Sequence, residues 1–116
     1  MYQIIFLNDK NGENEVQNYI KKLQYNTKTD RIKLNKIIAY MRLLEEKGLT
    51  LGEPYIKHII DNIWELRPLK DRILFATLEN NKFIILNYFA KSTQKTPKRE
   101  IEKAKRILDN YKKRSG

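Results

Sequence analysis

Four basic residues stand at the ends of apolar segments in the second half of the chain, where the edge of a sheet can bring them together. Arg67 ends one such segment, Arg72 begins the next, and Lys91 and Lys95 follow the last. Guanidinium and ammonium groups bind phosphate through charge-assisted hydrogen bonds. The spacing therefore predicts one concave, phosphate-binding patch formed by these four residues. Ordinary solvated strand ends have the same pattern, and spacing alone leaves that alternative open.

Positive charge is concentrated at the C-terminal end of the chain. The sequence has 24 Lys and Arg against 14 Asp and Glu, a formal net charge of +10. Residues 90–116 hold ten of the basic residues and three of the acids, a net +7. Such a field attracts negative charge, so a polyanion is the expected partner.

The composition argues against most metal and cofactor chemistry. The chain has no Cys and a single His, His58, so it is short of the ligands that zinc and iron sites require. Its acids are scattered, mostly beside Lys or Arg, which is typical of surface pairs rather than of a two-metal site. Glycine-rich nucleotide motifs are missing, and four glycines supply no phosphate cradle. We expect no metal and no cofactor.

Four other side chains can take part in catalysis or in RNA binding, and each can instead have a purely structural role. His58 can act as a general acid or base near neutral pH, or can be an edge-strand residue with a bonded ring nitrogen. Gln94 can hydrogen-bond a base or a phosphate, or can fix its own loop. Trp64 and Tyr88 can stack on bases, although their strand positions favour core or partner contacts.

The elements that must position these residues begin with a strand and an αα-hairpin. Residues 2–7 are β-branched and aromatic and are followed by turn formers, which predicts a strand and a loop. Apolar residues recur at helical spacing from Glu13, and again after a polar break from Tyr25 to Thr29. Thr29 or Asp30 is expected to cap the second helix and Gly48 to end it. The two stripes are Val16, Tyr19, Ile20 and Leu23, then Leu34, Ile37, Ile38, Met41 and Leu44.

The sequence pattern in the second half of the chain is typical of β-strands. Turn-forming residues at hairpin length separate four apolar runs, which predicts an antiparallel meander. The runs are residues 55–59, 63–67, 72–78 and 82–89. The last two are almost continuously apolar, so they should be central strands with helices on one face and the other face open to a partner. Alternation in the second run places Trp64 and Leu66 on one face and Glu65 with Arg67 on the other.

A basic helix is expected to end the chain. Thr96 can cap it, with Pro97 at its first position. Its narrow apolar stripe is Ile101, Ala104, Leu108 and Tyr111. The length of 116 residues and a hydrophobic fraction of 41% predict one soluble domain, residues 1–116, of α+β class. The chain has neither a membrane-length apolar run nor a signal-peptide pattern, so we expect a cytoplasmic protein without a membrane partner.

Two segments carry a resemblance to a known family. The first is Glu-Pro-Tyr-Ile-Lys-His-Ile from Glu53, followed by Ile-Trp-Glu-Leu-Arg from Ile63. The second, more specific one is Lys-Ser-Thr-Gln-Lys-Thr-Pro from Lys91, which leads into the basic helix. Over nearly its whole length the chain resembles the phage-derived Gp49-like, or HigB-like, toxins of the RelE/ParE superfamily.

The resemblance implies a fold, an activity and partners. The fold would be RelE-like, with two N-terminal helices packed on a twisted antiparallel sheet. The protein would be the toxin of a type II toxin–antitoxin pair, a metal-independent endoribonuclease that cleaves mRNA on the translating ribosome and so inhibits translation. Its antitoxin would be a small HigA-like helix-turn-helix protein that neutralises the toxin, represses the operon and forms a heterotetramer with it.

Site residues also follow from the resemblance. Arg72 lies where the superfamily places a phosphate-binding arginine, Arg67 is its neighbour, and Lys91 and Lys95 lie in the loop where further basic residues occur. A lysine there can act as a base only in its neutral form, which adjacent positive charge favours. Some relatives use a His or Tyr near the C-terminus; this chain has no second His, which leaves the acid and the base open. The RNA-binding candidates are Lys57, His58, Gln94, Lys98 and Arg99.

Two other functions stay open at this stage. A gyrase-directed toxin of the same superfamily would inhibit a protein target without cutting RNA, although the basic loop argues against it. A non-catalytic RNA-binding module would explain the charge, but such modules usually expose aromatic residues on a sheet or carry a glycine-bearing loop.

Overall fold

The computed structural model describes residues 1–24 and 27–115, which form three α-helices and one five-stranded mixed sheet. The strands are β1 Gln3–Phe6, β2 Ile56–Ile60, β3 Ile63–Leu66, β4 Asp71–Leu78 and β5 Lys82–Ala90. The helices are α1 Glu15–Leu23, α2 Lys28–Lys47 and α3 Lys98–Ser115, with a short 3-10 turn at Gly48–Leu51. The strand order is β1-β5-β4-β3-β2. The α+β class predicted from the sequence is confirmed.

The predicted meander is confirmed, but the sheet as a whole is not antiparallel. Strands β2 to β5 pair antiparallel through short turns, whereas β1 lies parallel to β5, with Gln3 opposite Lys82. Hairpin turns fix the direction of β2 to β5 because each short connection reverses the chain. No such turn joins β1 to β5, so the sequence carried no signal for the direction of this pair.

Helices cover both faces of the sheet. The face with Ile73, Phe75 and Ile85 packs against buried residues of α1 and α2, such as Val16 and Ile37. The opposite face packs against Ala104 and Leu108 of α3 in a second cluster that includes Ile63, Leu74 and Ile84. Strands β4 and β5 are central, as predicted. The face that we expected to be open to a partner is instead covered by α3, because the apolar stripe of this helix docks on its own sheet.

In the N-terminal half, the helix ends differ from expectation at the start of α2. Asn14 caps α1, since its side-chain oxygen accepts from the Val16 and Gln17 N–H groups. Thr27 caps α2 by accepting from the Asp30 N–H at 3.3 Å, so the prediction of Thr29 or Asp30 was wrong. Within the predicted polar break, Tyr25 and Asn26 lie outside the described residues. Gly48 ends α2 with a φ of 58°, as predicted. Within residues 1–24 and 27–115, no helix is long and apolar enough to cross a membrane.

Candidate functional site

Strand alternation places three charged side chains on the sheet face that α3 covers. Ile63 of β3 packs in the α3 cluster, so Glu65 and Arg67 follow it to that face. Leu74 of β4 packs there too, and Arg72 lies two residues before it. The two arginines therefore come from neighbouring strands and flank the short turn that joins them. The predicted juxtaposition of Arg67 and Arg72 is present in the structure.

A buried carboxylate holds the two arginines together. Glu65 is 2% exposed, and its Oε1 lies 3.4 Å from the Arg67 Nε and 3.8 Å from the Arg72 Nε. Its other oxygen, Oε2, accepts a hydrogen bond from the Thr96 hydroxyl at 2.7 Å. We call Glu65, Arg67, Arg72 and Thr96 the Glu65 cluster. One negative charge is shared by two guanidinium groups, so the cluster carries a net positive charge.

Arg72 is fixed in one orientation. The residue is 6% exposed, and its Nη1 donates to the Leu69 carbonyl at 2.9 Å and to the Asp71 carbonyl at 2.8 Å. Burial lowers the pKa of Arg72 from its ordinary value, and the positive charge of Arg67 lowers it further, while Glu65 acts in the opposite direction. Arginine nevertheless keeps its charge at physiological pH. The result is a preorganised cation with its side-chain entropy already lost on folding.

Arg67 is the more accessible member of the pair. Its side chain is 20% exposed, against 8% for that of Arg72. Among the described residues its buried Nε has no hydrogen-bond partner, although Glu65 lies 3.4 Å away as an ion pair. A guanidinium with unused donors beside a second, fixed guanidinium is suited to binding a phosphate oxygen.

The basic loop between β5 and α3 is anchored beside the Glu65 cluster at both ends. The Lys91 N–H donates to the Lys70 carbonyl at 2.7 Å, and Thr96 reaches Glu65 at the other end. Between these points the Thr93 hydroxyl donates to the Lys95 carbonyl at 3.0 Å, and the side chains of Lys91, Gln94 and Lys95 are exposed. The structure thus brings the loop to the arginines and leaves its lysines in solvent.

The anchoring of the loop also corrects the predicted cap of the last helix. The Thr96 hydroxyl bonds Glu65, and the Pro97 carbonyl accepts from the Glu100 and Ile101 N–H groups at the start of α3. Pro97 therefore occupies the cap position that we had assigned to Thr96. The Thr96 hydroxyl bonds the carboxylate of Glu65, 31 positions earlier in the sequence, instead of capping the helix.

The RNA-binding candidates divide between the two faces of the sheet. Lys57 is exposed and lies opposite Glu65 in the β2–β3 register, on the same face as the Glu65 cluster. Lys98 and Arg99 are exposed at the start of α3, which covers that face, and Arg99 pairs with Glu100 at 3.8 Å. His58 lies on the opposite face. The functional assignments of all four stay predictions.

His58, Trp64 and Tyr88 each contact neighbouring aromatic or backbone groups. The His58 ring lies against Trp64 with centroids 4.9 Å apart, and its Nε2 is 2.7 Å from the Asp61 carbonyl oxygen. Trp64 and Tyr88 both pack against the core cluster of α1 and α2. Tyr88 also stacks on Tyr19, with centroids 4.3 Å apart and an interplanar angle of 9°. The core interpretation of Trp64 and Tyr88 is confirmed.

A second polar network supports Arg72 from the opposite face. The Tyr19 hydroxyl donates to the buried Asp71 carboxylate at 2.8 Å, and the backbone carbonyl of Asp71 accepts from Arg72. Burial and the hydrogen bond to Asp71 raise the pKa of Tyr19 well above its ordinary value. Burial also raises the pKa of Tyr88, with a further contribution from Glu15. Helix α1 is thereby tied to the strand start that carries Arg72.

Sequence reasoning missed the central role of Glu65 and the use of Thr96. The available signal was an acid between Trp64 and Leu66, two residues before an arginine, at a position that faces a covered side of the sheet. Within the part of the chain that the structure describes, no group of three or more His, Cys, Asp or Glu side chains is placed to hold a metal ion.

Comparison with known proteins gives a family. Comparison with curated proteins yields no match for the chain. The model of one family, described as phage-derived protein Gp49-like (DUF891), matches residues 18–109, which include α2, the meander, the Glu65 cluster and most of α3. The chain therefore belongs to the phage-derived Gp49-like family, a family associated with RelE-like toxins.

Proposed function

We propose that this protein is the toxin of a type II toxin–antitoxin system and that it cleaves mRNA on the translating ribosome. The observation that carries the proposal is the Glu65 cluster, in which a fixed, buried Arg72 and a more accessible Arg67 lie beside an exposed basic loop. Membership of the Gp49-like family, with its toxin association, supports the same function.

The proposed chemistry needs little from the protein beyond charge and position. RNA carries its own nucleophile, the 2′-hydroxyl, whose oxygen bonds to phosphorus as the bond to the 5′-oxygen breaks. This step requires in-line geometry, stabilisation of the charged phosphorane, an acceptor for the 2′-hydroxyl proton and a proton for the leaving 5′-oxygen. Arg72 supplies a donor whose orientation Glu65 and two carbonyl oxygens fix in advance. Arg67 and the exposed Lys91 and Lys95 supply further positive charge around the phosphate.

The site offers fewer groups for proton transfer than for binding a phosphate. Both oxygens of Glu65 are already engaged, by the two arginines and by Thr96. The loop lysines are exposed candidates beside the cluster, and lysine is a poor base while protonated. Positioning of the message by the ribosome therefore supplies much of the rate, which accounts for a toxin that depends on translation.

The partners follow from the same proposal. A small helix-turn-helix antitoxin of the HigA type neutralises the toxin and assembles with it as a heterotetramer. The net charge of +10 favours approach to the ribosome, whose RNA is a polyanion. No cofactor takes part in the proposed reaction.

Induction of the protein in cells tests the proposal. Growth should stop, and primer extension on a reporter message should reveal cuts inside translated codons. Removal of the reporter's start codon should abolish those cuts, since an untranslated message is not held on the ribosome. Arg72→Lys should weaken the cuts, whereas Arg42→Lys should leave them unchanged, because the exposed Arg42 belongs to α2, which packs on the other face of the sheet. Intact messages together with blocked DNA supercoiling would instead place the protein among gyrase-directed toxins.

A further inference from the structure

One residue near the Glu65 cluster has a backbone conformation that does not suit its type. Four non-glycine residues in the described part of the chain have positive φ: Asp61 at 49°, Leu69 at 57°, Asn80 at 63° and Asn81 at 59°. Asp and Asn tolerate this left-handed region because their short polar side chains hydrogen-bond locally. Leucine lacks that compensation, so Leu69 carries a conformational cost that the other three positions largely avoid.

Packing in the core does not explain why leucine occupies this position. Leu69 is 47% exposed and belongs to neither core cluster. It lies in the turn between β3 and β4, which is closed by the Asp71 N–H donating to the Pro68 carbonyl at 3.1 Å. Glycine or asparagine would close the same turn at lower cost. Strained residues of this kind cluster at functional sites, so Leu69 is a candidate for a role outside the fold.

The turn lies between the proposed phosphate ligand and the basic loop. The Leu69 carbonyl accepts from the Arg72 Nη1 at 2.9 Å, so the backbone of Leu69 is in direct contact with the guanidinium. The next carbonyl, that of Lys70, accepts from the Lys91 N–H at 2.7 Å. Leu69 thus lies in a turn whose backbone contacts the Arg72 guanidinium and the start of the basic loop.

We propose that Leu69 contacts the nucleobase next to the phosphate that Arg72 binds, and that it helps to set the base preference of cleavage. This inference rests on the proposed function. A nucleotide offers an apolar base face and a phosphate close together, and leucine side chains serve elsewhere as wedges against unstacked bases. A protein partner fits less well, because one half-exposed leucine among lysines is far smaller and more charged than the core of a protein interface.

The test uses the whole protein on ribosome-bound messages that differ in the base on either side of the cleavage site. Leu69→Asn suits the left-handed backbone and removes the apolar surface, whereas Leu69→Met keeps that surface. Leu69→Asn should raise the apparent KM about tenfold and broaden the base preference. Its melting temperature should not fall, because asparagine is better tolerated at this φ. Leu69→Met should stay within about twofold of wild type.

Leu49 supplies the matched control. It is 37% exposed in the 3-10 turn after α2, and Leu49→Asn should leave the base preference unchanged. Unchanged KM and base preference in Leu69→Asn would overturn the inference while the wild-type cleavage still supports the proposed function. A parallel loss of melting temperature and activity, or a loss confined to antitoxin binding, would also overturn it. A wild-type protein that cuts no message would remove both proposals together.

Discussion

Glutamine at position 65 should destabilise the protein while leaving its shape intact. Glu65→Gln keeps the size of the side chain and removes the negative charge that lies 3.4 Å from the Arg67 Nε and 3.8 Å from the Arg72 Nε. The two guanidinium groups then lose the counter-charge that they share, and for Arg72 the weaker effect of Asp71 is what is left. Arg72 is only 6% exposed, so water compensates it poorly. The amide oxygen can still accept from Thr96, so the loss falls on the side of the cluster that faces the arginines, where an NH2 group replaces a carboxylate oxygen.

The size of the effect follows from burial. Removal of one partner from a buried ion pair costs about 3–5 kcal/mol, since the other charge stays buried without compensation. Arg67 is partly exposed, at 20% of its side chain, so the lower end of that range applies. We expect the free energy of unfolding to fall by about 3 kcal/mol, which corresponds to a drop of about 10 °C in the melting temperature for a domain of this size.

Urea denaturation followed by circular dichroism measures this difference. Glu102→Gln is the matched control, because Glu102 forms a solvent-exposed pair with Lys105 at 3.9 Å, and its loss should cost less than about 0.5 kcal/mol. In the Glu65→Gln background, Arg72→Met should restore part of the lost stability by removing the uncompensated charge. If Glu65→Gln unfolds at the same urea concentration as Glu102→Gln, Glu65 does not neutralise the two arginines and the account of the cluster is wrong.

Three further predictions concern the site and its support. Arg72→Lys keeps the charge beside Glu65 but loses the planar fork, so the cleavage rate on ribosomes should fall roughly 100- to 1,000-fold while circular dichroism shows an intact fold. The pKa of Tyr19 is raised above its ordinary value of 10, so the folded state holds this proton more tightly than the unfolded chain does. Its contribution to stability should therefore be complete below pH 10 and be lost as the pH rises further, and a pH series of melting temperatures should show a smaller loss in Tyr19→Phe. Gly48→Ala should lower the free energy of unfolding by about 2 kcal/mol or more in urea denaturation, because alanine is strained at a φ of 58° and its Cβ would overlap the Tyr2 ring. Gly12→Ala is the control: Gly12 has a φ of 76° but lies in open space, so this variant measures the backbone strain alone.

Local sequence patterns predicted most of the secondary structure. Hairpin turns and alternation identified β2 to β5, because both signals act between residues that are close in sequence. The apolar stripes of the helices were equally local. The direction of β1 escaped prediction because its pairing with β5 spans most of the chain. The cap of α2 was misplaced because Thr27, Thr29 and Asp30 are chemically similar candidates within four residues, and only the path of the chain selects one.

The candidate site was predictable in part for the same reason. Arg67 and Arg72 flank one short turn, so the hairpin predicted from the sequence already placed them close together. The burial of Glu65 could not be predicted in this way, because an acid in a strand usually indicates a solvent-facing position. Here Glu65 is buried and bonded to Thr96, which lies far from it in sequence. The left-handed backbone of Leu69 was hidden as well, since its residue type gives no sign of a positive φ.

Cleavage on purified ribosomes tests the central claim most directly. The purified protein is mixed with a message bound to ribosomes and, separately, with the same message free in solution. Each sample is repeated with excess chelator, after which magnesium is restored just enough to hold the ribosome together. The account predicts cuts in the ribosome-bound message that survive the chelator, and little or no cutting of free RNA. Efficient cleavage of free RNA that stops when chelator is added would contradict it.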